Sequence, residues 1–193
     1  SEILIIADET ADPTYAAADM LSQAEHDPLS CSIVISTDAV LANKIAVEVE
    51  SQLQKLPRRE IAQSAIERNG LIIAARDIKE AIDFANISAP EHLELLVREP
   101  FNVLPKIKNA GAVFLGAYSP EPLGDYLAGP NHVLPTGGTA RFFSVLNVET
   151  FLRRMSLISY SRDALLDSAA DIERLARAEG LDAHAKAILM RNA

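Results

Sequence analysis

Residues 1–36 read SEILIIADETADPTYAAADMLSQAEHDPLSCSIVIS, and this stretch decides the fold class. Two short apolar runs, Ile3–Ala7 and Ser32–Ser36, have the length and the polar boundaries of buried strands. An Asp-Pro dipeptide between them is a helix start signal, so we predict a helix over Thr14–Glu25. A strand, a helix and a strand in this order predict one parallel β-α-β unit.

The same alternation continues along the chain. Further predicted helices are Ala39–Lys55, Arg58–Arg68 and Asp77–Asn86, and further predicted strands are Leu71–Ala75, Leu93–Val97 and Ala112–Leu115. This pattern is typical of an α/β protein with a mostly parallel sheet and flanking helices, in an incomplete Rossmann-like arrangement.

The pattern changes after Gly138, where we predict one further strand and then a helical C-terminal tail split at Gly180. The strand is Arg154–Tyr160, and the tail helices are Ala164–Glu179 and Ala183–Arg191. We therefore expect two domains, with an α/β domain over residues 1–146 and a mainly helical, dimer-forming tail over 147–193.

The stretch from Gly111 to Arg141, GAVFLGAYSPEPLGDYLAGPNHVLPTGGTAR, holds four prolines and six glycines. A regular helix does not tolerate that density, and a structureless connector would not need the aromatic and aliphatic residues in it. We predict a long ordered loop, and such loops in compact domains usually carry function.

Composition excludes several classes of function. The 193 residues carry a net charge of −9 without a basic cluster, which argues against nucleic-acid binding. No apolar run is long enough to span a membrane, and no secretory signal is evident. A single cysteine, Cys31, predicts a reducing cytoplasm, and its apolar setting favours a buried core thiol.

The chain opens with SEILIIADE, which begins a strand almost at once and contains no methionine. We expect an N-terminal part to be missing, and removal of a short leader is the alternative.

Two side chains near the end of the first predicted helix have metal-ligand spacing. Gln23 and His26 are three residues apart, which places both on one face of a helix. A polar pair that faces water at a helix end is the more common meaning of this pattern.

Glu91 and His92, in the run APEHLEL, follow a predicted helix and precede a strand. Adjacent Glu and His side chains supply two proton-transfer groups of different pKa. We expect this junction to line the ligand crevice of an open α/β sheet, and a charged loop tip is the alternative.

Within the long loop, Asp125 lies between Gly124 and Tyr126, where a carboxylate can approach a ligand closely. For His132, a structural hydrogen bond that holds the loop weighs at least equally with a functional role. The glycines in TGGT resemble a phosphate cradle, but no lysine follows, so close backbone packing is favoured. Glu179 and His184 flank a glycine that predicts a helix end followed by a new helix.

Four motifs, in this order, resemble the C-terminal half of the histidinol dehydrogenase family. They are SQAEHDP, SAPEHLEL, SPEPLGDYLAGPNHVLPTGGTARFFS and AEGLDAHAKAI, and the resemblance covers essentially the whole chain. That family oxidises L-histidinol to L-histidine via histidinal in two NAD-dependent steps, the last of histidine biosynthesis, with one zinc ion per site.

The resemblance assigns site residues by position. It implies zinc ligands at Gln23, His26, Asp125 and His184 and a catalytic pair of Glu91 and His92. It places substrate contacts at Ser1, His92, Glu179 and the zinc ligands. Because the tail residues act in the partner's site in that family, a second copy of the chain is implied as a homodimer partner.

A complete member of this family is more than twice as long as this chain, and its main NAD-binding domain lies in the absent half. No G-x-G-x-x-G fingerprint occurs here, so no NAD-binding residue is assigned, and we expect the chain alone to be inactive. The alternatives are a non-catalytic, truncated metal-binding or dimerisation module and an aldehyde-oxidising enzyme with Cys31 as nucleophile.

Overall fold

The computed structural model describes residues 1–191 and confirms an α/β fold built on a five-stranded parallel sheet. The strands are β1 (Glu2–Ala7), β2 (Cys31–Ser36), β3 (Gly70–Ala74), β4 (His92–Leu96) and β5 (Ala112–Leu115). Their order is β3-β2-β1-β4-β5, and every neighbouring pair is parallel. The chain therefore builds outward from β1 to β3, crosses back, and continues from β4 on the other side of β1.

Helices connect the strands and form the tail. They are α1 (Pro13–Ala24), α2 (Ala39–Leu53), α3 (Arg59–Asn69), α4 (Ile78–Ser88), α5 (Pro100–Val103), α6 (Glu121–Tyr126), α7 (Arg162–Ala178) and α8 (Asp182–Leu189). Aspartate side chains before α1, α2 and α4, and a serine before α7, accept hydrogen bonds from main-chain N–H groups of the first turn. Each such cap satisfies a donor that the helix itself leaves free.

Both faces of the sheet are buried, and side chains that alternate along β1 divide between them. Ile3 and Ile5 pack in one apolar cluster with α1, α2 and α3, whereas Leu4 and Ile6 pack in a second cluster with α4. Because successive strand residues point to opposite faces, a strand covered on both sides must be apolar throughout. This explains why the run Ile3–Ala7 has no polar residue.

The chain divides into two compact units, the first over Ser1–Phe151 and the second beginning at Leu152. In the second unit α7 ends at Ala178 and α8 begins at Asp182, with Gly180 between them at a positive φ of 74° that suits a glycine. The split of the tail at Gly180 is therefore confirmed, while the division of roles between residues 1–146 and 147–193 stays a prediction.

Two local predictions are wrong. Arg154–Tyr160 forms no strand in the described chain, because an extended segment becomes a strand only when it pairs with another. The loop from Gly111 to Arg141 contains an unpredicted helix, α6. Its prolines lie before the helix and in its first turn, where a missing N–H removes no helical hydrogen bond. Among residues 1–191, no helix has the length and apolarity needed to cross a membrane.

Candidate metal and catalytic site

The candidate site lies at the amino ends of β1 and β4. Glu2 begins β1, His92 begins β4, and α1 returns to this edge with Gln23 in its last turn. The expectation that the junction at Glu91 lines the usual crevice of an open α/β sheet is therefore wrong. That crevice lies outside the carboxyl ends of strands, whereas Glu91 follows a helix and precedes a strand.

The opposite edge, where β1 and β4 end, is closed by an aspartate. Asp8 accepts hydrogen bonds from the main-chain N–H groups of Thr10 at 2.9 Å and Arg98 at 2.8 Å. Glu9 also pairs with the Arg98 side chain at 3.1 Å. The Asp8 carboxylate therefore accepts two main-chain N–H groups at the carboxyl ends of β1 and β4, where the order of the strands reverses. In dinucleotide-binding folds, a phosphate group binds at this position.

His92 is held with one ring nitrogen free to accept a proton. Its Nδ1 lies 2.9 Å from the main-chain oxygen of Glu2, and a carbonyl oxygen only accepts hydrogen bonds. Nδ1 therefore carries the proton of the neutral ring, and Nε2 keeps a lone pair. Nε2 is buried, has no hydrogen-bond partner, and lies 3.7 Å from Oε1 of Glu121.

Glu91 is held by the same peptide segment. Its Oε2 accepts a hydrogen bond from the main-chain N–H of Glu2 at 3.0 Å and lies 3.8 Å from Nδ1 of His92. The parallel register pairs Ile3 with His92, which brings Glu2 beside Glu91. The predicted catalytic pair is therefore brought together at one point of the β1–β4 ladder.

Three side chains form a cluster that could hold a metal ion. Ligand atoms of His92, Glu121 and Asp125 all lie within 4.8 Å of one another, with the two acids one turn apart on α6. Burial and the neighbouring Asp125 carboxylate raise the pKa of Glu121 to about 7. Sequence reasoning passed over Glu121 in favour of Asp125, although both acids lie in the same Gly- and Pro-rich stretch.

Gln23 is fully buried beside this cluster. Its side chain lies close enough to Glu121 to favour the ionised form of that carboxyl group and so oppose the rise in its pKa. Even so, neither amide atom of Gln23 makes a hydrogen bond of normal geometry, and Oε1 of Glu121 is also buried without one. Unpartnered buried polar atoms of this kind are uncommon, and a bound cation is one of the features that accounts for them.

Three other predicted site residues are not members of the His92–Glu121–Asp125 cluster. His26 is exposed in the turn after α1, and its Nδ1 lies 3.2 Å from the Ser1 hydroxyl oxygen. Glu179 and His184 are exposed residues of the second unit, the former at the end of α7 and the latter in the first turn of α8. The four-ligand zinc set therefore stays a prediction.

Glu94 and Asp19 form a second pair of acids, next to the first residue of α6, that sequence reasoning also missed. Glu94 is only 1% exposed, and its Oε1 accepts a hydrogen bond from the main-chain N–H of Glu121 at 2.8 Å. Burial, together with the nearby Asp19 carboxylate, raises the pKa of Glu94 to about 9, and burial also raises the pKa of Asp19. The signal was a charged residue within the apolar strand sequence HLELL.

A cavity of about 440 Å³ opens beside the cluster and runs along β5. His92, Asp125 and the exposed His132 line it with polar atoms, and its other walls are mainly apolar. A mostly apolar pocket with a few convergent polar groups is the usual form of a small-molecule site. By contrast, Cys31 is half-buried, and burial raises the pKa of its thiol, which disfavours a thiolate nucleophile.

Comparison with known proteins gives one consistent family. The family model for histidinol dehydrogenase matches residues 1–192. Over 191 residues the chain is 54% identical to histidinol dehydrogenase from Heliobacterium mobile and 56% identical to that from Halalkalibacterium halodurans. These matches cover 99% of this chain, which spans only 45% of the length of either relative.

The fold matches as well. The crystal structure of histidinol dehydrogenase from Elizabethkingia anophelis superposes with a TM-score of 0.92 at 41% sequence identity. The match covers 99% of this chain and 44% of that one.

Proposed function

Because the chain belongs to the histidinol dehydrogenase family, we propose that it carries the metal, substrate and proton-transfer groups of that enzyme. The reaction is the NAD-dependent, four-electron oxidation of L-histidinol to L-histidine through histidinal. The single observation that carries the proposal is the buried Glu91–His92 pair, which lies beside an acid-rich cluster and a cavity of ligand size.

The proposed metal is zinc, held by Gln23, His26 and Asp125, with His184 supplied by the tail. Oxygen and nitrogen donors suit zinc, and the unpartnered buried amide of Gln23 fits a role as ligand. When bound, zinc would act as a Lewis acid that anchors the amino alcohol.

His92 is proposed to accept the proton of the substrate's alcohol group at Nε2. The carbonyl of Glu2 fixes the proton of the neutral ring on Nδ1, so Nε2 is available as a general base. Nε2 makes no hydrogen bond within the described chain, so its lone pair is not already occupied by a protein donor.

Glu91 is proposed to activate the water that attacks the aldehyde carbon of histidinal. One carboxylate oxygen accepts the N–H of Glu2, which leaves the other oxygen available to accept a proton from water. The two adjacent residues would thus serve successive proton transfers, and the substrate would not need to leave between them.

We further propose that the working unit is a homodimer in which Glu179 and His184 complete the partner's site. The extended segment of the second unit supports this, because Met155, Leu157 and Ile158 are each more than 80% exposed. No residue of this chain is assigned to NAD, so we expect the chain alone not to complete the reaction.

The test is NADH formation from L-histidinol in a protein of the relatives' length that contains this segment. Replacement His92→Asn should lower kcat by about 10²-fold or more, because a positioned general base contributes at least that much. The matched control is Glu60→Gln, at an exposed position of α3, which should leave the rate unchanged. Absence of NADH formation by the unsubstituted protein would refute the proposal.

A further inference from the structure

We propose that Glu2 is the positioning residue for the Glu91–His92 pair, a role that rests on the proposed function of those two side chains. Its peptide group holds both of them, and its carboxylate holds its own peptide in place through the long loop. Glu2 is half-buried, and its main-chain N–H and carbonyl groups are hydrogen-bonded to Glu91 and His92.

The main chain of Glu2 is hydrogen-bonded to both side chains of the pair. The N–H of Glu2 donates to Oε2 of Glu91 at 3.0 Å, and the carbonyl oxygen accepts from Nδ1 of His92 at 2.9 Å. A shift of this one residue would therefore disturb both side chains together.

The side chain of Glu2 is hydrogen-bonded to a residue that lies far away in the sequence. Oε1 of Glu2 accepts a hydrogen bond from the main-chain N–H of Gly137 at 2.8 Å, so 135 residues of sequence separate the two partners. Gly137 and Gly138 have φ values of 60° and 75°, the left-handed region that favours glycine. The TGGT motif thus presents an N–H to a carboxylate of its own chain.

The loop that holds Glu2 is also bonded to the end of α4. Arg141 donates from its guanidinium to the main-chain oxygens of Gly138, at 3.0 Å, and Ile87. Ile87 lies in the last turn of α4, just before the segment that leads into Glu91. The loop over residues 137–141 therefore clamps the segment that carries the pair, with Glu2 at one end and Ile87 at the other.

The contact with Gly137 requires a side chain at position 2 that has the length of glutamate and an acceptor oxygen at its end. Glutamine has the same length and the same acceptor, so Glu2→Gln should preserve the contact with Gly137. Alanine removes the contact, and Glu2→Asp shortens the side chain by one methylene, so both should release residue 2.

Nitrogen-15 NMR of this chain at pH 8 tests the proposal without any assay of catalysis. The neutral His92 ring should be mainly Nδ1-protonated, and the Gly137 amide should exchange slowly with solvent. In Glu2→Ala the Nε2-protonated form should rise about fivefold, the effect of one weakened hydrogen bond, and the Gly137 amide should exchange faster. Glu2→Gln should behave as the unsubstituted chain does.

The control is Glu9→Ala, beyond the other end of β1, which should change neither signal. An Nε2-protonated ring in the unsubstituted chain would overturn the proposal, as would an unchanged ring in Glu2→Ala. A glutamine variant that behaves like alanine would also overturn it. If Glu2→Ala fails to fold, Glu2→Asp provides the same comparison. Expected NMR signals in this chain, together with no NADH formation by the unsubstituted protein of the relatives' length, would count against the proposed reaction alone.

Discussion

Glu91 and His92 are neighbours in sequence, yet each is fixed by a different atom of Glu2. The carbonyl of Glu2 selects the ring nitrogen of His92 that carries the proton, and the N–H occupies one oxygen of Glu91. In the proposed function the two side chains would have separate tasks, His92 at the alcohol and Glu91 at the aldehyde.

Replacement Glu91→Gln should separate these tasks. Glutamine still accepts the N–H of Glu2 but is not a base, so aldehyde oxidation should fall by about 10²-fold or more while alcohol oxidation changes little. NADH formation from histidinol and from histidinal, each measured in a single turnover of the full-length protein, checks this. Equal losses in both half-reactions would show that Glu91 does not act on water.

At the scale of elements, the position of the Glu91–His92 pair depends on how closely the start of β5 approaches the start of β4. The N–H groups of Gly111 and Ala112 donate to the carbonyl oxygens of Pro90 and Glu91, both at 2.9 Å. A Cβ atom at position 111 would lie 2.5 Å from the Glu91 oxygen, which is too close for any real contact. Only glycine allows this approach.

Replacement Gly111→Ala should therefore destabilise the chain by about 1–3 kcal/mol, the usual cost of a forced backbone shift. Denaturant unfolding measures the change. Lys108→Ala, at an exposed position three residues earlier, is the control and should change stability by less than about 0.5 kcal/mol. An unchanged midpoint in Gly111→Ala would show that β5 can move away without cost.

The elements that the sequence predicts well are those with a strong hydrophobic pattern. The first β-α-β unit and the split at Gly180 agree with the structure to within one or two residues. The helix α6 could not be predicted, because its six residues include a proline and a glycine, which disfavour a helix. A helix this short depends on tertiary packing for its stability. Arg154–Tyr160 has the composition of a strand, but within residues 1–191 no β-strand forms there.

At the scale of the whole molecule, the buried Glu94 makes stability depend on pH. Its pKa rises from 4.5 in the unfolded chain to about 9 in the folded protein, so between these values the folded state binds more protons. The free energy of unfolding should therefore fall as the pH rises through this window, by at most about 1.4 kcal/mol per pH unit.

Replacement Glu94→Gln removes this titration, while the amide oxygen can still accept from the main-chain N–H of Glu121. Thermal unfolding between pH 5 and pH 9 should therefore vary less in Glu94→Gln than in the unsubstituted chain. The exposed Glu60→Gln is the control and should keep the full dependence. The same slope in all three proteins would mean that Glu94 is ionised in the folded state.

The site was only partly predictable because its members come from distant parts of the chain. Motifs in the sequence pointed to Glu91, His92 and Asp125, which the structure brings to one place. Glu121 and the bonds from Glu2 were missed because burial and strand register, rather than any local pattern, give them their importance.

The measurement that most directly tests the account is zinc binding by the purified chain at a concentration that permits dimers. Competition with a chelator should show about one zinc ion per chain, and Asp125→Asn should weaken the affinity by at least about tenfold while circular dichroism is unchanged. Absence of zinc binding, or equal affinity in the two proteins, would contradict the claim that this chain carries the metal site.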